Sequence, residues 1–116
     1  MPALPSLSLL AEPLVDIVRR SGRIIREHWR MPSHARHKGR IDLVTETDLA
    51  VEAFLVQELE QLLPQALFMA EESARSGQQP GELCWIIDPV DGTTNFVHRL
   101  PHVGTSVALW QKGAPV

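Results

Sequence analysis

Between Leu10 and Trp29 the apolar residues Leu10, Leu14, Ile17, Val18, Ile25 and Trp29 recur at helical spacing, and Arg19, Arg20, Arg23, Arg26 and Glu27 fill the other side. The pattern predicts an amphipathic helix with one stripe turned to a core. Pro13 belongs near its start, because a proline deeper inside removes a backbone hydrogen bond and clashes with the preceding turn. A second stripe, Val51, Phe54, Leu55, Leu59 and Leu62, predicts a helix from about Thr47 to Leu63, stopped by Pro64. At its start Thr47 is placed to cap the first turn and Asp48 to face the positive end of the helix dipole. Between the two helices, Met31 to Arg40 has breakers at both ends and many basic groups. It reads as an exposed, mobile loop, either a solvated connector or an electrostatic lid for an anionic substrate.

After Pro64 the period changes. Ala66 to Ala70 and Leu83 to Ile87 are short apolar runs that suit buried strands, the second ending abruptly at Asp88-Pro89. Ser73 to Glu82 reads as a surface loop, Val103 to Trp110 alternates like a third strand, and Lys112-Gly113 marks a turn into Ala114-Pro115-Val116. Two helices and three strands predict a layered α/β arrangement. They leave at least one sheet edge uncovered, and Val116 falls where a further strand is due, so a C-terminal portion is expected to be absent.

Composition narrows the function classes. At 116 residues and 44% apolar, the chain is sized for one domain with a real core. Fourteen acidic against eleven basic residues, net charge -3, argue against disorder and give no support to a nucleic-acid partner. Cys84 is the single cysteine, so no intrachain disulfide forms, and it reads as an inert strand residue. No leader pattern opens the chain and no apolar run is long enough to span a membrane, which together predict a cytoplasmic setting. His98, His102 and Trp110 read as packing or surface residues.

The candidate chemistry lies in carboxylates. Glu71-Glu72 follow the first strand run, and Asp88 and Asp91 follow the second. Acidic groups gathered at strand ends repel one another and are costly to desolvate, and a hard divalent cation, magnesium above all, relieves both problems. Pro89 and Gly92 predict a tight turn aiming Asp88, the Val90 carbonyl and Asp91 at one metal cluster. Gly92 permits close backbone approach, and Thr93 and Thr94 open a helix whose N–H groups can cradle a phosphate. The alternative is an Asx-Pro turn plus a threonine cap. Two acidic clusters after two separate strands favour the metal, since a cap needs only one.

Trp85-Ile86-Ile87-Asp88-Pro89-Val90-Asp91-Gly92-Thr93-Thr94-Asn95-Phe96-Val97-His98 closely resembles the central motif of the inositol monophosphatase family, and Asp42 to Asp48 and Ala70 to Ser73 resemble two further motifs in the family's order. The resemblance covers about Leu10 to Val116. It implies the N-terminal half of the αβαβα sandwich shared with fructose-1,6-bisphosphatase, with two long helices packed on a mainly antiparallel sheet. It also implies a magnesium-dependent phosphomonoesterase that hydrolyses a small phosphorylated alcohol, foremost myo-inositol monophosphate, by metal-activated water without a phosphoenzyme. Sugar, nucleotide and histidinol phosphates are alternative substrates, and a non-catalytic partner-binding module is the alternative function. By the same resemblance, Glu71, Asp88, the Val90 carbonyl and Asp91 are metal ligands. Val90, Asp91, Gly92 and Thr93 meet the substrate, Thr93 and Asp48 help activate the water with Glu71, and Glu72 supports from behind. Lys38 lies near the family's loop lysine. Lithium sensitivity and a homodimer are implied as well. Ala70 stands where the family has glycine, and the later tryptophan-aspartate motif has no counterpart, so 116 residues alone are expected to be inactive or to need a complementing piece.

Overall fold

The computed structural model describes residues 6–30, 39–70 and 83–116. Most of the basic loop with Lys38, the paired Glu71 and Glu72, and the Ser73 to Glu82 segment lie outside these residues. The elements run α1 (Leu7–Arg30), α2 (Gly39–Leu62), β1 (Leu67–Ala70), β2 (Leu83–Asp91), α3 (Thr93–Val97), β3 (Gly104–Gln111) and β4 (Ala114–Pro115).

Both long helices follow their stripes but start earlier than the pattern predicts. Helix α1 begins at Leu7 and carries Pro13 inside it. Packing of Leu10, Ile17 and Ile25 on either side of the proline holds the helix together through a locally unfavourable residue. Helix α2 begins at Gly39, so Gly39 and Arg40 are helical and Thr47 and Asp48 lie well inside. The capping role expected of Thr47 and the dipole role expected of Asp48 are therefore incorrect, since both effects act within the first turn. The Thr47 hydroxyl is instead used sideways, 2.7 Å from His28 Nδ1 of α1.

The sheet has the order β1-β2-β3-β4. β1 runs parallel to β2, and the other two pairings are antiparallel. Lys112 and Gly113, with φ of 53° and 82°, make the tight turn between β3 and β4, the handedness that suits a short hairpin. Along β2, Trp85 and Ile87 turn toward the two helices, opposite Leu109 and Val107 of β3. Val51, Leu55 and Leu59 of α2 and Trp85 all have 0% exposure and form the centre of the core. Burying each such aliphatic side chain contributes about 2 kcal/mol.

Strand β2 does not end at Asp88-Pro89 as the sequence predicts. It runs on to Asp91, but Asp88 pairs with Ser106 and Asp91 with Gly104. Three steps on β2 thus oppose two on β3, a bulge of one extra residue. Pro89 has no N–H to give, and its carbonyl accepts a 2.8 Å hydrogen bond from Thr105 Oγ1 in place of a regular rung. The bulge exchanges faces: Val90 joins Trp85 and Ile87 in the core, and Asp91 turns to the surface.

The helices are joined by polar contacts as well. Arg20 pairs with Glu58 of α2 and, at 2.9 Å, with Asp16 of its own helix, while its guanidinium stacks 5.4 Å from the Phe54 ring centre. No described helix is long and apolar enough to cross a membrane.

Candidate functional site

The site begins where the bulge ends. Gly92 sits at φ 89° and ψ 41°, between β2 and α3. A β-carbon there would lie 2.6 Å from the His102 carbonyl oxygen, so both the backbone angle and the space demand glycine. The turn is braced by Asn95 Nδ2, which donates to the same His102 carbonyl at 2.9 Å, and by the Leu100 amide, which donates to the Asn95 carbonyl at 2.8 Å. His102 thus contributes a backbone acceptor. The short helix α3 opens at Thr93, as expected, and its Phe96 is buried in the core. Phe96 meets Trp29 of α1 edge-to-face at 5.3 Å, and Arg99 lies 5.7 Å over the Trp29 ring.

Asp48 reaches this turn from α2. Its carboxylate accepts a hydrogen bond from the Val90 amide. That contact ties two sequence motifs, otherwise far apart along the chain, to one place. Burial is the main influence holding the Asp48 carboxyl above the usual carboxylate range, with the neighbouring Glu52 charge adding to it and the Val90 amide opposing it. Asp88 is half-buried, and Asp91 and Thr93 are exposed at the same end of β2. The structure therefore brings Asp48, Asp88, Val90, Asp91, Gly92 and Thr93 to one region of the fold, and Glu71 lies outside the described residues.

Asp88, Asp91 and the Val90 carbonyl offer oxygen donors alone, the chemistry a hard divalent cation takes. Among the described residues no three His, Cys, Asp or Glu side chains gather into a complete ion site. The donor set fits magnesium as part of a site. Ala70 ends β1 in extended backbone, a conformation open to any residue, so the exchange for the family's glycine brings no backbone strain. Cys84 is 1% exposed, and burial pushes its thiol pKa up, which agrees with an inert strand residue.

Sequence reasoning missed His28. Its signal was faint, a polar residue in the last turn of α1 beside the stripe residue Trp29. Only the helix pairing reveals that it meets Thr47.

Residues 6–116 match the model of the inositol monophosphatase family. The chain is 48% identical to inositol monophosphatase 1 of Solanum lycopersicum over 82% of its own length and 36% of the relative's. It is 38% identical to the Nus factor SuhB of Escherichia coli over 85% of its length and 38% of the relative's. The crystal structure of the extragenic suppressor protein suhB from Bartonella henselae superposes with a TM-score of 0.73 at 26% identity, covering 93% of this chain and 41% of that one. The chain thus spans about two fifths of the length of such relatives.

Proposed function

The chain belongs to the inositol monophosphatase family, and from that premise we propose that it forms part of a magnesium-dependent phosphomonoesterase acting on myo-inositol monophosphate, yielding inositol and inorganic phosphate. The observation that carries the reading is the hydrogen bond from the Val90 amide to the Asp48 carboxylate, which brings the α2 motif to the end of β2. A cap-and-turn role for Asp88 and Asp91 does not call for that contact.

In this reading Asp88, Asp91, the Val90 carbonyl and Glu71 hold the ion. Magnesium, when bound, supplies positive charge that neutralises the phosphate and acidifies a water molecule. The amides of Gly92 and Thr93 orient the phosphate oxygens, and the open backbone at Gly92 lets the substrate approach. The Thr93 hydroxyl and Asp48 carboxylate hold the attacking water and take up its proton, and burial of Asp48 raises its proton affinity toward that of a working base. Attack proceeds in line on phosphorus, with no covalent link to the protein. Lithium inhibition and a homodimer belong to the same reading and rest on the family resemblance, and a cytoplasmic setting goes with it on the pattern of the sequence.

The test is release of inorganic phosphate from myo-inositol 1-phosphate, by the chain supplied with the complementing portion that its sequence calls for, with magnesium present and after chelation. Magnesium-dependent release supports the proposal, and release that persists unchanged after chelation overturns it. A second reading, a partner-binding surface without catalysis, draws on the relative named as a Nus factor. It predicts partner binding that is unaffected by Asp88→Asn.

A further inference from the structure

We propose that His28 is a positioning residue for Asp48, acting through Thr47. His28 Nδ1 lies 2.7 Å from Thr47 Oγ1, and Thr47 is 1% exposed, inside α2 and immediately before Asp48. Here the hydroxyl meets a side chain of another helix in a place that excludes water, where a hydrogen bond is stronger and its loss more costly. Thr47 is β-branched, so fixing its hydroxyl also fixes its χ1 and, through it, the local position of the α2 backbone. Asp48 shares a peptide bond with Thr47, and its carboxylate must meet the Val90 amide on a different element. A small rotation or slide of α2 at Thr47 would break that contact.

The residue after His28 anchors the other end of the device. Trp29 packs edge-to-face on Phe96 of α3, the short helix that Thr93 opens. The last turn of α1 therefore grips α2 beside Asp48 and α3 close to Thr93, setting the spacing between the two groups assigned to the attacking water. The hydroxyl can donate to or accept from the imidazole, so the link holds for either neutral tautomer. Reach and placement of this kind govern rate more than affinity, because a group displaced by about 1 Å can lose much of its catalytic benefit.

The kinetic consequence rests on the phosphatase reading, and the structural one does not. The experiment compares His28→Phe, which keeps a ring and removes the bond, with His28→Asn, whose amide can occupy the Nδ1 position, and with Thr47→Val, which exchanges hydroxyl for methyl. Hydrogen exchange of the Val90 amide reports the Asp48 contact in the absence of activity. Protection at Val90 should fall about fivefold in His28→Phe and in Thr47→Val, and stay within about twofold of the parent in His28→Asn. The double variant should be no worse than either single one. With myo-inositol 1-phosphate and magnesium, His28→Phe should lower kcat about tenfold while KM changes less than about twofold, and His28→Asn should restore kcat. Unchanged Val90 protection in His28→Phe, or equal losses in the Phe and Asn variants, overturns the proposal. Should His28→Phe not fold, the near-isosteric Thr47→Val decides by the same exchange measurement. A chain that releases no phosphate even with its complementing portion supplied removes the functional premise, and Val90 exchange still decides whether His28 positions Asp48.

Discussion

The two halves of β2 behave as different materials. From Leu83 to Ile87 the strand pairs with β3 residue for residue, and from Cys84 to Ile87 it pairs with β1 as well, with Trp85 and Ile87 in the core. From Asp88 to Asp91 it carries one residue too many, a proline without an N–H, and two carboxylates. The regular half holds stability because every side chain there has a defined neighbour. The irregular half gives up regular pairing, and in return it frees the Val90 amide for Asp48 and turns Asp91 outward. The candidate site lies where the ladder fails, beside the half that pairs throughout.

Substitutions in the two halves should separate stability from activity. In the regular half, Trp85→Ala should destabilise the fold by about 3–5 kcal/mol, much of what a domain of this size possesses. Urea unfolding followed by circular dichroism would show it, and a loss under about 1 kcal/mol would mean that the core lies elsewhere. In the irregular half, Asp88→Asn should leave the unfolding midpoint nearly unchanged while lowering the magnesium-dependent turnover of the complemented chain at least about 100-fold, the scale of a disrupted ion site. Near-normal turnover would sink the assignment of Asp88 as a ligand. At the junction, Gly92→Ala should do both in moderation. Its positive φ and the close His102 carbonyl cost about 1–3 kcal/mol of stability, seen in the same urea experiment, and an unchanged midpoint would mean that the turn adapts.

The smallest effect is expected back in the regular half. Burial raises the Cys84 pKa, so at any given pH the native protein carries less thiolate than a free cysteine, and its alkylation curve shifts to higher pH. Mass spectrometry of iodoacetamide labelling between about pH 7 and 9 should show slow native modification that becomes rapid in urea. Rapid labelling of the native chain would show that this half opens more readily than its pairing implies.

The stripes of α1 and α2 were legible in the sequence because each long helix must bury one face, and Leu10, Ile17, Val51, Leu55 and Leu59 declare it by spacing alone. The strand at Cys84 to Ile87, the turn at Lys112-Gly113 and the short helix opening at Thr93 were legible for similar local reasons. Asp88-Pro89 misled, because a proline normally ends a central strand and only the partner β3 discloses that pairing resumes at Asp91. Thr47-Asp48 misled for a related reason. A threonine followed by an aspartate is a common helix start, and nothing nearby in sequence indicates that His28 claims the hydroxyl. Of the candidate site, Asp48, Asp88, Val90, Asp91, Gly92 and Thr93 come to one region, and the contact that joins Asp48 to the rest was invisible to spacing.

The extra residue between Asp88 and Asp91 also governs which changes of length this segment can survive. Neighbouring positions on a strand point to opposite faces, and the bulge takes its extra residue out of that count, so the segment holds one residue of slack. Removing Pro89 would restore regular pairing and leave Val90 facing the core and Asp91 facing out, while taking away the carbonyl that Thr105 Oγ1 holds. A deletion there would cost the irregular backbone and not the facing of the side chains that follow. The length of the segment is therefore a setting for the backbone groups at its end more than for the side chains beside them.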